Sequence, residues 1–139
     1  MSLNSIQEEI VEEFSIFDDW LDKYDYLIEL GSGLPAIDAS LKTDENLING
    51  CQSKVWLDAE YKDGKIFYHA DSDAIIVKGI VALLVKALNG QPPKEIIDND
   101  LYFIDKIGLK QNLSPTRSNG LVAMVKKMKL FALAYQAKH

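Results

Sequence analysis

Residues 74–88 are apolar except for Lys78 and Lys86, and at position 79 they carry a glycine instead of a side chain. A helix that is apolar around most of its circumference has to be enclosed, because no single face of it belongs in water. The stretch is also shorter than the roughly 18–20 residues that a bilayer span requires, and its two lysines fall inside it. It therefore predicts a central buried helix that the rest of the chain must surround. Asp71, Ser72 and Asp73 precede it as candidate caps, Asn89-Gly90 ends it, and Gly79 is expected to let another helix come close.

The segment just before this helix reads as a β-hairpin. Residues 55–61 are β-prone, Asp63-Gly64 is a tight-turn pair, and residues 66–69 resume a strand. Ahead of the hairpin come two helical patterns. Residues 6–14 alternate Ile6, Ile10, Val11 and Phe14 with glutamates, and a second helix begins after Asp18-Asp19 with Trp20, Leu21, Tyr24, Leu27 and Ile28 as its apolar face. Gly31 is the expected left-handed cap of that helix, and Leu34-Pro35 bars its continuation.

After the central helix, Pro92-Pro93 opens a short helix through Ile97, and residues 102–107 add a brief helical or irregular piece. Ser114-Pro115 then starts a long final helix with the stripe Leu121, Met124, Val125, Met128 and Ala132, and with Lys126, Lys127 and Lys129 toward solvent. The expected fold class is α+β, a small antiparallel β-sheet packed against helices, in a single domain over residues 1–139. A chain of 139 residues that is 47% hydrophobic and 26% charged supports one such core.

The formal net charge of -6 makes the average field repel phosphate backbones and anionic lipid. The expected partners are proteins or small molecules, with no nucleic acid and no membrane. The first residues lack the continuous apolar stretch of a secretory signal, so a cytoplasmic location is expected. One cysteine makes no internal disulfide, which agrees with a reducing compartment.

That cysteine, Cys51, carries the chemistry of the chain. It follows the turn pair Asn49-Gly50 and precedes polar Gln52 and Ser53, surroundings unlike those of buried core filler. A structural metal needs about four converging ligands, whereas the sequence offers Cys51, His69 and the terminal His139, so no metal is expected. A Cys-His hydrolase would have only His69 as an internal base, and His69 reads more readily as a strand-surface residue. A thioredoxin-like cycle lacks its second thiol. What is left to Cys51 is to accept a group and pass it on.

The residues Asn46-Leu47-Ile48-Asn49-Gly50-Cys51-Gln52-Ser53-Lys54-Val55-Trp56 resemble the signature of SufE-type sulfur-acceptor proteins. Three further blocks agree in order: Tyr26-Leu27-Ile28-Glu29-Leu30-Gly31 with Leu34-Pro35, Asp71-Ser72-Asp73-Ala74 with Ile76-Val77-Lys78-Gly79, and Leu113-Ser114-Pro115-Thr116-Arg117-Ser118 with Gly120-Leu121. The resemblance covers nearly the whole chain and extends to the SufE and CsdE proteins and, in fold, to the NifU/IscU scaffolds. Asn112, Ala36 and Lys42 stand where this family often has histidine, glutamate and arginine.

The resemblance implies a sulfurtransferase accessory protein. It would take persulfide sulfur onto Cys51 from a SufS-type cysteine desulfurase, stimulate that enzyme, and deliver sulfur to a SufBCD-type iron-sulfur scaffold. Pyridoxal phosphate would belong to the desulfurase, and no cofactor is expected in this chain. A homodimer is compatible with the sequence. The contrasting reading is a non-catalytic regulator of a desulfurase with Cys51 as bystander. Gly50 is expected as a hinge, and Gly50, Gln52, Asp73 and Arg117 support the loop and its activation. Arg117, like Lys54, is a candidate for favouring the thiolate, and Arg117 equally reads as an ion-pair partner of Asp73. A recess lined by Trp56, Leu34 and the central helix is expected to shelter the sulfur, with core packing as the alternative for Trp56.

Overall fold

The computed structural model describes residues 2–139. Helices α1 (Leu3–Ser15) and α2 (Trp20–Ser32) come first, followed by two single 3-10 turns and then strands β1 (Val55–Lys62) and β2 (Lys65–Ser72). The central helix α3 (Ile75–Leu88), short helices α4 (Pro93–Asp98) and α5 (Phe103–Lys106), and the long α6 (Pro115–Lys138) complete the chain. This is the expected α+β architecture with its two-stranded antiparallel sheet.

The hairpin follows from its turn. Asp63 and Gly64 both take positive φ, 54° and 79°, the two-residue geometry whose twist matches that of paired strands. Pairing runs from Lys62 opposite Lys65 to Val55 opposite Ser72. Alternation puts Val55, Leu57 and Ala59 of β1 on the buried face together with Ile66, Tyr68 and Ala70 of β2. Helix α3 lies between this face and α2, so the predicted enclosed helix is the middle layer. All but four of its residues are buried. Helix α6 closes the core from the side with Leu121, Met124, Met128 and Ala132. It is pinned to the hairpin by Tyr68 Oη donating to the Met128 carbonyl at 2.7 Å and by Tyr135 Oη donating to the Ala59 carbonyl at 2.8 Å.

Three local expectations change. Gly31 is not a left-handed cap: α2 continues through it to Ser32, and the capping Gly33 has φ -87°. Gly31 instead faces Gly79 where α2 crosses α3. A Cβ on Gly79 would lie 2.3 Å from the Leu27 carbonyl oxygen, and one on Gly31 would lie 2.9 Å from the Gly79 nitrogen. The expected close approach at Gly79 is therefore met by a second glycine.

The buried face of α2 is also narrower than its apolar pattern. Leu27 is fully enclosed, while Leu21 is 77% exposed. Finally, β2 extends through Ser72, so Asp71 and Ser72 are strand residues and α3 starts after Ala74 without a side-chain cap. Asp71 turns inward instead, with its carboxylate 2.9 Å from Lys42 Nζ and 3.3 Å from Lys78 Nζ.

Candidate functional site

The loop that bears Cys51 is closed at its neck. Ile48 N–H donates to the Val55 carbonyl at 2.9 Å, part of an isolated antiparallel bridge between Leu47 and Trp56 on the edge of β1 away from β2. One step further, the Asp73 carboxylate accepts from Lys54 N–H at 3.0 Å, Asp73 N–H donates to the Lys54 carbonyl at 3.2 Å, and Ser72 Oγ donates to that same carbonyl. Asp73 thus supports the loop by holding its outgoing end. It forms no ion pair with Arg117, whose guanidinium has no ion-pair partner among the described residues.

Gly50 has φ 95°, a conformation that L side chains rarely adopt, and lets the chain reverse against Ala123 of α6. The reversal lays Cys51 over the second turn of that helix. Its thiol is half-buried and donates to the Gly120 carbonyl at 3.6 Å. Gly120 is a glycine inside a helix, which costs roughly 1 kcal/mol relative to alanine. Here its missing side chain leaves room for the sulfur, because a Cβ would stand 3.4 Å from Cys51 Sγ.

Around the thiol is a cavity of about 270 Å³ lined by Gln52, Val77, Ile80, Arg117 and Met124, among others. Its floor is apolar and comes from α3 and α6, and its mouth is polar. Ser114 caps α6, its Oγ accepting from Arg117 N–H at 3.3 Å, so the positive end of the helix and the Arg117 side chain share that mouth. Burial pushes the Cys51 thiol up from its ordinary pKa. At rest it is therefore a protonated donor to a carbonyl. Ionisation would remove the donated proton and leave negative charge facing that oxygen, which favours movement of sulfur toward the cationic mouth.

Of the residues singled out from sequence, Cys51, Gln52 and Arg117 line this one cavity, with Gly50 and Asp73 shaping the loop from either side. Trp56 and Leu34 do not line it. Strand alternation sends Trp56 to the face opposite Val55 and Leu57, where Lys42 Nζ sits 5.3 Å from its ring. Leu34 belongs to a separate hollow with Tyr26, Pro35, Ala82 and Val85. His69 lies on the outer hairpin face, 3.7 Å from Glu60, away from the thiol. The expected lining by the central helix is supplied by Val77 and Ile80, whereas sequence reasoning missed Met124 of α6. It also missed the role of Gly120, for which a glycine within a predicted helix was the available signal.

The arrangement defines a class: a small α+β protein in which a single thiol rides a glycine-turned loop over an apolar recess beside a helix N-terminus. The family model for SufE, described as an Fe-S metabolism associated domain, matches residues 8–132. A SufE-like protein of Rhizobium etli, itself uncharacterized, is 42% identical over 88% of this chain and 86% of its own length. A SufE-like protein of Synechocystis is 40% identical over 91% of this chain and 80% of its own. SufE-like protein 1 of Arabidopsis thaliana, chloroplastic/mitochondrial, is 41% identical over 94% of this chain, which spans 36% of that longer protein. The chain belongs to the SufE family, and with it to iron-sulfur metabolism. A solution structure of a hypothetical protein from Thermus thermophilus shares the fold, with a TM-score of 0.79 over 95% of this chain and 96% of that one at 20% identity. No helix among the described residues is long and apolar enough to cross a membrane.

Proposed function

We propose that this protein is a sulfur acceptor that takes persulfide sulfur from a cysteine desulfurase onto Cys51 and delivers it to an iron-sulfur scaffold. The observation that carries the reading is the placement of the chain's one thiol, half-buried on a loop that reverses at Gly50, over an apolar cavity with a cationic mouth. A SufS-type donor and a SufBCD-type recipient are the partners that family membership favours.

The transfer is a thiol-disulfide-type exchange. Cys51 loses its proton to solvent or a partner base, and its thiolate attacks the terminal sulfur of the donor's persulfide. A new S–S bond forms at Cys51 as the donor's S–S bond breaks, and the donor cysteine leaves as a thiolate that is reprotonated. No net oxidation occurs. Delivery repeats the exchange with a recipient thiolate attacking the terminal sulfur held on Cys51. Between the two steps the recess shields that sulfur from cellular thiols, and Arg117 with the α6 N-terminus favours the anion when the loop swings out.

Incubation with a SufS-type desulfurase, its pyridoxal phosphate and cysteine is expected to add the mass of one sulfur atom to the protein. Cys51→Ser is expected to abolish both that adduct and full stimulation of the desulfurase. Full stimulation by the serine variant would overturn the acceptor role and leave a regulator with a bystander thiol.

A further inference from the structure

The outer face of α6 carries an apolar strip that the sulfur site does not use. Its first part is a groove of about 460 Å³ between α6 and the α5 region, with Leu101 and Ile104 in its floor. Val122, Leu130 and Leu133 form its wall and are each about half exposed. Lys126 and Leu130 also line a second hollow, which Ala123 and Lys127 of α6 share with Leu47, Ile48 and Asn49. The two hollows therefore run into one another across Leu130. From Leu121 to Leu133 the strip follows about 18 Å of helix axis, the reach of roughly three turns of a second helix laid alongside.

The second hollow reaches the Cys51 loop. Residues 47–49 are the incoming arm of that loop, and Ala123 is the residue against which Gly50 turns. Gly120 and Met124, which face the thiol, belong to neither hollow. A molecule seated on the strip thus touches the loop from outside and leaves the thiol's cavity open.

Charge sets the chemistry of what fits. Lys110, Lys126, Lys127 and Lys129 border the strip against Asp100 and Asp105, a cationic surplus on a chain of net charge -6. An acidic surface is repelled by the molecule as a whole and attracted here, which fixes where it lands.

We propose that this strip is the docking surface for the protein that receives the sulfur, and that it takes an amphipathic helix of that protein with acidic residues flanking its apolar face. The inference rests on the sulfur-acceptor reading of Cys51 and gives the two exchanges different faces. Loading draws a thiolate toward the cationic mouth at Arg117. Delivery has to expose a sulfur sheltered over Val77, Ile80 and Met124. A recipient bound against residues 47–49 does this by making contacts that are better when the loop stands outward, so its binding shifts the loop in that direction.

The test separates delivery from loading. The full chain is loaded by a SufS-type desulfurase with radiolabelled cysteine, freed of that enzyme, and mixed with a SufBCD-type scaffold as the probe. Persulfide mass reads loading, label on the scaffold reads delivery, and circular dichroism checks that each variant is folded. Leu130→Glu is expected to load as the wild type does and to deliver about tenfold more slowly. Lys126→Glu is expected to slow delivery at low salt and much less at high salt. Leu21→Glu, the same change at an exposed leucine of α2 outside the strip, is expected to alter neither step. A loaded wild type that passes no label, or delivery indifferent to Leu130→Glu, would overturn the inference while Cys51 still accepts sulfur. Loading slowed in step with delivery would make the strip the donor's seat, and altered self-association with delivery intact would assign it to a second copy; either result sinks the inference too. A wild type that gains no persulfide sulfur defeats the acceptor reading itself, and the inference with it.

Discussion

At Cys51 the structure presents a thiol that is sheltered more than activated. It donates to the Gly120 carbonyl, and burial raises its pKa, so the resting residue is a weaker nucleophile than an exposed cysteine at the same pH. Alkylation by iodoacetamide followed against pH is expected to show a midpoint above the roughly 8.5 of a free cysteine. Unfolding in urea should bring it back to the ordinary value, and a folded-state midpoint at or below 8.5 would contradict a sheltered thiol. Asp71 is the opposite case. Burial works against its charge, but hydrogen bonds from Lys42, the Ser72 amide and Lys78 prevail and hold its carboxyl below the usual range. Asp71→Asn, which leaves two lysines near a neutral group, is expected to lower unfolding stability by about 1–2 kcal/mol in urea titrations near neutral pH.

Among the elements, the α2–α3 crossing is the contact with least slack. Gly31 and Gly79 meet backbone to backbone, and the Gly79 position has no room for even a methyl group. Gly79→Ala is expected to destabilise by about 2–3 kcal/mol, since the obstructing atom is the Leu27 carbonyl and relief means prising two helices apart. Thermal or urea unfolding measures this, and a change below about 0.5 kcal/mol would show that the helices separate easily. In the Cys51 loop Gly50→Ala meets no serious clash but forces a positive φ, for an expected loss of roughly 1 kcal/mol, and on the loop movement proposed above it is expected to slow that movement. Reduced sulfur uptake at unchanged global fold, by persulfide mass and circular dichroism, is the signature of that hinge.

Across the whole molecule these groups set limits on stability from both ends of the pH scale. The depressed Asp71 carboxyl contributes stability that is present above the unfolded-state value of about 3.9 and is lost as pH falls through its lower folded value. The raised Cys51 thiol contributes stability that is present below about 8.5 and is lost as pH rises through its higher folded value. Melting temperature against pH is therefore expected to fall on both flanks. Asp71→Asn should flatten the acid side and Cys51→Ser the alkaline side. If the alkaline flank survives the serine substitution, buried Tyr68, whose hydroxyl is also pushed up by burial, is the remaining group described here that acts in that direction from within the core.

The amino-acid sequence by itself determined the elements and their order. The hairpin was legible because Asp63-Gly64 has one favoured geometry, the central helix because its apolar residues leave no solvent face, and the start of α6 because Ser114-Pro115 caps and opens a helix locally. Cys51 and its loop neighbours were legible for the same reason, as a lone thiol on a turn. What surrounds the sulfur was decided only in three dimensions. Strand pleat turned Trp56 away from the cavity, the crossing of α2 and α3 converted Gly31 from an expected cap into a packing contact, and Asp73 went to the loop backbone instead of Arg117. Turns, caps and periodicity are properties of neighbouring residues, whereas a recess made by Val77, Ile80, Gly120 and Met124 exists only once helices far apart in the chain have packed against the same loop.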